Sequence, residues 1–100
     1  MKKNTPHYRL DAIKAEVSAH GLDAFTRAAH GAELLGLTDF EAVAVVLNLE
    51  RGMLLKSMTT HADYRMWQDV YHAICPNGRI AYIKLTLRTD GPVVIQFKEK

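Results

Sequence analysis

The sequence predicts an α+β fold, with helices from the N-terminal half packed on a largely antiparallel C-terminal sheet. Three observations carry this expectation. Apolar residues recur at helical spacing as far as about Asn48, the period shortens to two after Thr59, and Cys75-Pro76-Asn77-Gly78 and Asp90-Gly91-Pro92 cut the remainder into strand-length pieces. Helices followed by a meander are the layers of an α+β domain. One hundred residues, 48% of them hydrophobic, suit a single domain over residues 1–100 with a core of its own.

The first helix is expected from about Asp11 to His20. Leu10, Ile13 and Val17 share a face, Asp11 can cap the start, and Gly21 can take a positive φ at the end. An extended piece over Leu22 to Phe25 and a cap at Thr26 lead into a second helix, Arg27 to Leu35, ended by Gly36. Thr38-Asp39-Phe40-Glu41 has the form of a capping box for a third helix, Asp39 to Asn48, which presents Phe40, Val43, Val46 and Leu47 along one side, with Val45 and Leu49 broadening the apolar surface. Met53 to Ser57 reads equally as a helical turn or as the approach to a strand.

Strands are expected over Met66 to Ile74, Arg79 to Arg88 and Val93 to Lys98. In the second of these, Arg79, Ala81, Ile83, Leu85 and Leu87 point one way, and Ile80, Tyr82, Lys84, Thr86 and Arg88 the other. The apolar set suits a core. A three-residue loop at Pro76 to Gly78 pairs His72 with Tyr82 and brings Gln68 to the polar face; one at Asp90 to Pro92 places Lys84 opposite Lys98 and Tyr82 opposite Lys100. Two lysines opposite each other repel, which favours an anion between them.

Composition narrows the function classes. The longest apolar region, Phe40 to Leu49, is interrupted by Glu41 and Asn48 and falls short of the about 20 residues that span a bilayer, so no membrane role is expected. Met1-Lys2-Lys3-Asn4-Thr5-Pro6 has no apolar stretch behind it, and Cys75 is the sole cysteine; a signal peptide and a disulfide scaffold are not expected, and a cytoplasmic location is. The net charge of +2 is mild, but Arg79, Lys84, Arg88, Lys98 and Lys100 outweigh Asp90 and Glu99 in the last strands, an excess suited to a phosphate backbone.

On such a surface a set of Lys, Gln and Tyr can cleave RNA without a metal. The 2′-hydroxyl attacks the adjacent phosphorus, and the protein must align the attack, move protons and neutralise the nonbridging oxygens. Lys56, Lys84 and Lys98 can supply charge, Tyr82 can exchange a proton or hold the phosphate, and Gln68 can hydrogen-bond phosphate or a base edge. No pair of carboxylates competes for the role. His72 and Cys75 alone do not make a metal site, so neither a metal nor another cofactor is expected.

Lys56-Ser57-Met58-Thr59-Thr60, Trp67-Gln68-Asp69-Val70-Tyr71 and the ending Phe97-Lys98-Glu99-Lys100 resemble the MqsR toxins, the mRNA interferases of bacterial type II toxin–antitoxin pairs. Thr5-Pro6-His7 with Arg9-Leu10, and Leu35-Gly36-Leu37, match as well, so the resemblance covers essentially the whole chain. It implies a compact fold related to the RelE-type ribonucleases and the catalytic set Lys56, Gln68, Tyr82 and Lys98, and it makes His7 and Arg9 candidates for holding RNA beside the Arg79, Lys84 and Arg88 that the charge of the strands suggests. It implies ribosome-independent cleavage of single-stranded mRNA near GC-containing sequences. It also implies a cognate antitoxin with a zinc-binding domain and a helix-turn-helix domain, through which contact with DNA would chiefly run. The segment Ala73 to Gly78 and the pair Leu54-Leu55 depart from the family's pattern. The competing reading is a noncatalytic module that binds RNA or the antitoxin, with Trp67 and Tyr71 as packing residues, Asp69 in a sheet ion pair, Asp63 capping or turning the chain, and His61 and His72 as weaker RNA contacts.

Overall fold

The structure, a computed structural model, describes residues 1–21, 28–60, 65–88 and 93–100. The expected extended piece at 22–25, the caps at Thr26 and Asp63, the contact at His61 and the turn at 90–92 lie outside these residues. Within them the chain runs β1 (Lys2–Lys3), α1 (Leu10–His20), α2 (Ala28–Leu34), α3 (Asp39–Leu47), β2 (Leu54–Thr59), β3 (Trp67–Ile74), β4 (Ile80–Thr86) and β5 (Val94–Glu99), with a 3-10 turn at Arg51–Met53 before β2. The strands form one sheet in the order β1-β2-β3-β4-β5, every neighbour antiparallel. The fold class is α+β, as the periodicities predict.

Local chemistry accounts for the helix ends. The Thr38 hydroxyl accepts the Glu41 backbone N–H at 3.1 Å, and the Glu41 carboxylate accepts the Thr38 N–H at 2.9 Å, which completes the capping box of α3. Asp11 does not cap α1. The helix begins one residue earlier, with Arg9 as the cap residue, and Asp11 sits in the first turn paired with Arg9 at 2.7 Å. Gly21 closes α1 at φ 57°, and Gly36 follows α2 at φ 79°.

The core lies between the helices and one face of the sheet. Ile13 and Val17 of α1 and Val46 of α3 are fully buried, as are Leu35, Leu49, Tyr71, Ile83, Leu85 and Ile95. At about 1.5–3 kcal/mol for each large apolar side chain, this layer supplies most of the favourable burial. The apolar face of α3 is largely the one expected, with Val45 and Val46 buried and Val43 and Leu47 packed against the core, but Ala42 is buried and Phe40 is 81% exposed. Phe40 is the second residue of α3, inside the capped first turn, and Ala42 one turn-half on is the residue that meets the core.

Two features of the sheet depart from expectation and matter for the site. Met53 to Ser57 is resolved in favour of a strand, entered through the 3-10 turn, and β2 pairs with β3 along its length. The β4–β5 register also differs. Tyr82 faces Lys98 and Lys84 faces Gln96, so the expected pairs Lys84–Lys98 and Tyr82–Lys100 are displaced by two residues. Ladder pairing ends at Thr86↔Val94, so β4 stops short of Arg88. The β3–β4 hairpin keeps the expected register, with His72 opposite Tyr82 and the Cys75 N–H donating to the Arg79 carbonyl at 2.8 Å.

Candidate active site

Alternation along the strands sends one set of side chains to the helices and the other to the far face. Ser57 and Thr59 of β2, Asp69, Tyr71 and Ala73 of β3, Ala81, Ile83 and Leu85 of β4, and Ile95 and Phe97 of β5 are buried. The alternate residues meet across the opposite face in two rungs. Lys56, Val70, Lys84 and Gln96 form one, and His72, Tyr82 and Lys98 the next.

The register of β2 shifts between Leu54 and Lys56, leaving Leu55 as the extra residue of a β-bulge. In an uninterrupted strand, residues two apart share a face. The bulge breaks that phase, so that Leu54 packs against the core beside Tyr71 while Lys56 stands on the far face opposite Val70. The departure of Leu54-Leu55 from the family pattern falls on this bulge.

Between the rungs lies a cleft of about 270 Å³ lined by Lys56, Met58, Val70, Tyr82, Lys84 and Lys98. Val70, 1% exposed, forms an apolar floor, and three ammonium groups and a phenol surround it. No carboxylate of the described residues belongs to this lining. Such a cavity suits a compact anion. The lysines attract the charge, and the apolar floor offers no group that would compete for them.

Of the residues singled out from sequence, Lys56, Tyr82, Lys84 and Lys98 are brought together here. Gln68 shares their face but stands one pair further along, opposite Met58 and outside the lining. Arg79 turns to the helix side, where its guanidinium reaches the Leu34 carbonyl at 3.4 Å and Glu99 at 3.6 Å. Arg88 lies exposed past the end of β4. Arg9 is exposed and paired with Asp11. Met58 and Val70, which sequence reasoning did not single out, sit in the Lys-Ser-Met-Thr-Thr block and the Trp-Gln-Asp-Val-Tyr block; recognising β2 as a strand would have placed them.

His7 belongs to a second cluster, on the helix-bearing face. Its ring stacks on Trp67 at 5.0 Å and 11°, and the Lys3 ammonium lies 4.3 Å from the Trp67 ring centre and 3.1 Å from His7 Nδ1. Burial, and then the Lys3 charge, lower the His7 pKa against a smaller opposing effect of Asp69. Asp69 is fully buried beneath this arm. Its carboxylate accepts the Ser57 hydroxyl at 2.6 Å and the backbone N–H groups of His7 at 3.0 Å and Tyr8 at 2.9 Å. These are neutral donors rather than the cationic partner expected for a sheet ion pair. Cys75 is buried among core residues, and among the described residues no group of three or more His, Cys, Asp or Glu side chains gathers around it and His72.

A model of the family described as motility quorum-sensing regulator, toxin of MqsA, matches residues 5–99. The mRNA interferase toxin MqsR of Escherichia coli (strain K12) is 39% identical over 101 residues, covering 100% of this chain and 100% of that protein. Both matches run through every strand that contributes to the cleft, and the chain belongs to the MqsR toxin family.

Proposed function

We propose that this chain is the endoribonuclease toxin of a toxin–antitoxin pair and that the lysine-rimmed cleft is where it cuts single-stranded mRNA. The observation that carries the reading is the convergence of Lys56, Tyr82, Lys84 and Lys98 around an apolar floor, with no carboxylate of the described residues in the lining. The relative's name, mRNA interferase toxin, agrees with it.

In this mechanism the scissile phosphate sits among the three ammonium groups. The 2′-oxygen bonds to phosphorus, the bond from phosphorus to the 5′-oxygen breaks, and the proton lost from the 2′-hydroxyl is balanced by one delivered to the departing oxygen. The products are a 2′,3′-cyclic phosphate and a 5′-hydroxyl. Lys56 and Lys98 neutralise the charge that grows on the nonbridging oxygens, Tyr82 exchanges a proton or hydrogen-bonds the phosphate, and Lys84 holds the backbone. Gln68, one rung away, meets the neighbouring nucleotide, and this is the position from which preference for GC-containing sequences would be expressed. Recognition through the RNA itself makes the ribosome unnecessary. The antitoxin MqsA restrains the enzyme, and the zinc and DNA-binding functions belong to that partner.

The test is incubation of antitoxin-free protein with defined single-stranded RNA in excess chelator, followed by analysis of the new ends. Cyclic phosphate ends, lost in Lys56→Ala and Lys98→Ala variants that retain the wild-type melting temperature, support the reading. RNA binding without cleavage by the wild type would instead identify a noncatalytic module.

A further inference from the structure

His72 faces Tyr82 directly across the β3–β4 ladder, and Tyr82 in turn faces Lys98. The imidazole and the phenol meet edge to face, with centroids 4.3 Å apart and planes at 83°. The Nε2 atom of His72 is buried and has no hydrogen-bond partner among the described residues. On its other side the residue borders an apolar groove of about 510 Å³ shared with Ala44, Val45, Asn48 and Met53. We infer that His72 is a positioning residue for the cleavage reaction, acting as a neutral edge-to-face brace that fixes the Tyr82 ring beside Lys98.

This brace rests on the proposed role of Tyr82 and deepens it. A phenol standing on an open sheet face has no steric reason to hold one orientation, whereas its hydroxyl must be placed to within a fraction of an ångström to help a phosphoryl transfer. The Tyr82 ring has Ile80 and Lys84 two residues to either side along its own strand, Lys98 opposite on β5 and His72 opposite on β3. Only His72 offers a rigid flat surface. The absent hydrogen bond at Nε2 fits this work: an imidazole held for its shape needs no proton acceptor, and aromatic pairs favour the edge-to-face geometry seen here.

The brace functions in the neutral form. A protonated ring would carry an N–H at Nε2 with no acceptor, close to like charge. Among the described residues the titratable neighbours are Tyr82 on β4, Lys98 and Lys100 at the end of β5 and the buried Cys75 thiol in the groove, while Ala44, Val45, Asn48 and Met53 bring no charge. Burial first, then Lys100, lower the His72 pKa accordingly.

Single-turnover cleavage of a short RNA tests the inference with His72→Ala, His72→Phe, Tyr82→Phe and the double variant His72→Ala/Tyr82→Phe. The expected results are a loss of about 10-fold in the rate constant for His72→Ala with RNA affinity retained, recovery in His72→Phe, and no further loss when His72→Ala is added to Tyr82→Phe. The wild-type rate also falls on the acid side of the ordinary histidine pKa, and His72→Phe lacks that acid limb while a His7→Gln control keeps it. Full activity in His72→Ala, or an equal loss in the Tyr82→Phe background, overturns the inference while leaving the site intact. Unchanged activity in Tyr82→Phe itself removes the assigned role of Tyr82, and the brace falls with it.

Discussion

Asp69→Ala is expected to destabilise the fold by about 3 kcal/mol or more while sparing the chemistry. The carboxylate is fully buried and takes three hydrogen bonds, from the Ser57 hydroxyl at 2.6 Å and the His7 and Tyr8 amides at 3.0 and 2.9 Å. Bonds to a charged acceptor contribute roughly 1.5–3 kcal/mol each, and the part-buried amides recover some of this from water. Removing the carboxylate also removes its desolvation penalty, which holds the net figure near the low end. Against a total of about 5–15 kcal/mol that is a large fraction. With a urea slope of about 2 kcal/mol/M, the unfolding midpoint moves down by about 1.5 M. Asp69→Asn retains one acceptor oxygen and should fall between the two. Hydrogen exchange supplies the local readout, because the His7 and Tyr8 amides lose protection before β3 and β4 do. A shift under about 1 kcal/mol, or exchange at His7 and Tyr8 unchanged, would refute the claim that Asp69 pins the N-terminal arm to the sheet. Since that arm lies on the helix-bearing face, cleavage by the folded fraction should stay near wild type.

Lys56→Ala and Lys98→Ala should each reduce the cleavage rate by about 100-fold or more, with thermal unfolding unchanged; rates near wild type in both would reject the centre. Each should also flatten the dependence of RNA affinity on log salt by about 0.7 per lost phosphate contact, read from titrations at several ionic strengths. Gly31→Ala should destabilise by about 1–3 kcal/mol, since the added methyl would drive into the Phe97 backbone where α2 crosses β5; urea unfolding measures it. Both His7 and His72 have pKa values lowered from 6.5, chiefly by burial. The unfolded chain therefore binds more protons in this window, and the stability they contribute is fully present above pH 6.5 and lost as pH falls from there through the depressed folded values. Unfolding midpoints measured across that window should drop on the acid side, and the drop should shrink in His7→Gln.

The elements that sequence reasoning located are those whose signals are local. The capping box at Thr38 and Glu41 needs residues three apart, and the hairpin at Cys75 to Arg79 needs a turn of fixed length, so both could be placed before any tertiary contact was known. The strand nature of β2 was not readable in that way. Its bulge at Leu55 interrupts the period-two pattern, and a window across Met53 to Ser57 therefore shows neither period cleanly. Phe40 misled for a related reason: hydrophobicity marks a residue that could be buried, but the rotation of α3 about its axis turns Ala42, Val45 and Val46 into the core and leaves Phe40 outside.

The site was legible through parity rather than through pairing. A strand slipped by one residue exchanges its faces, and the buried set Val93, Ile95 and Phe97 forbids that for β5. A slip of two leaves the same side chains on the same face, so hydrophobic pattern cannot discriminate between Lys84 facing Lys98 and Tyr82 facing Lys98. Only the length of the intervening loop could, and that is a weaker constraint. The membership of the cleft therefore followed from alternation, while its internal geometry did not. The difference changes the electrostatic argument. Lys84 and Lys98 are diagonal neighbours rather than a directly opposed like-charged pair, so their repulsion is weaker and an anion is less needed to relieve it. What recommends the cleft as a phosphate site is instead the entry of Lys56 from β2, brought to this face by the bulge, which places cations on both sides of the Val70 floor.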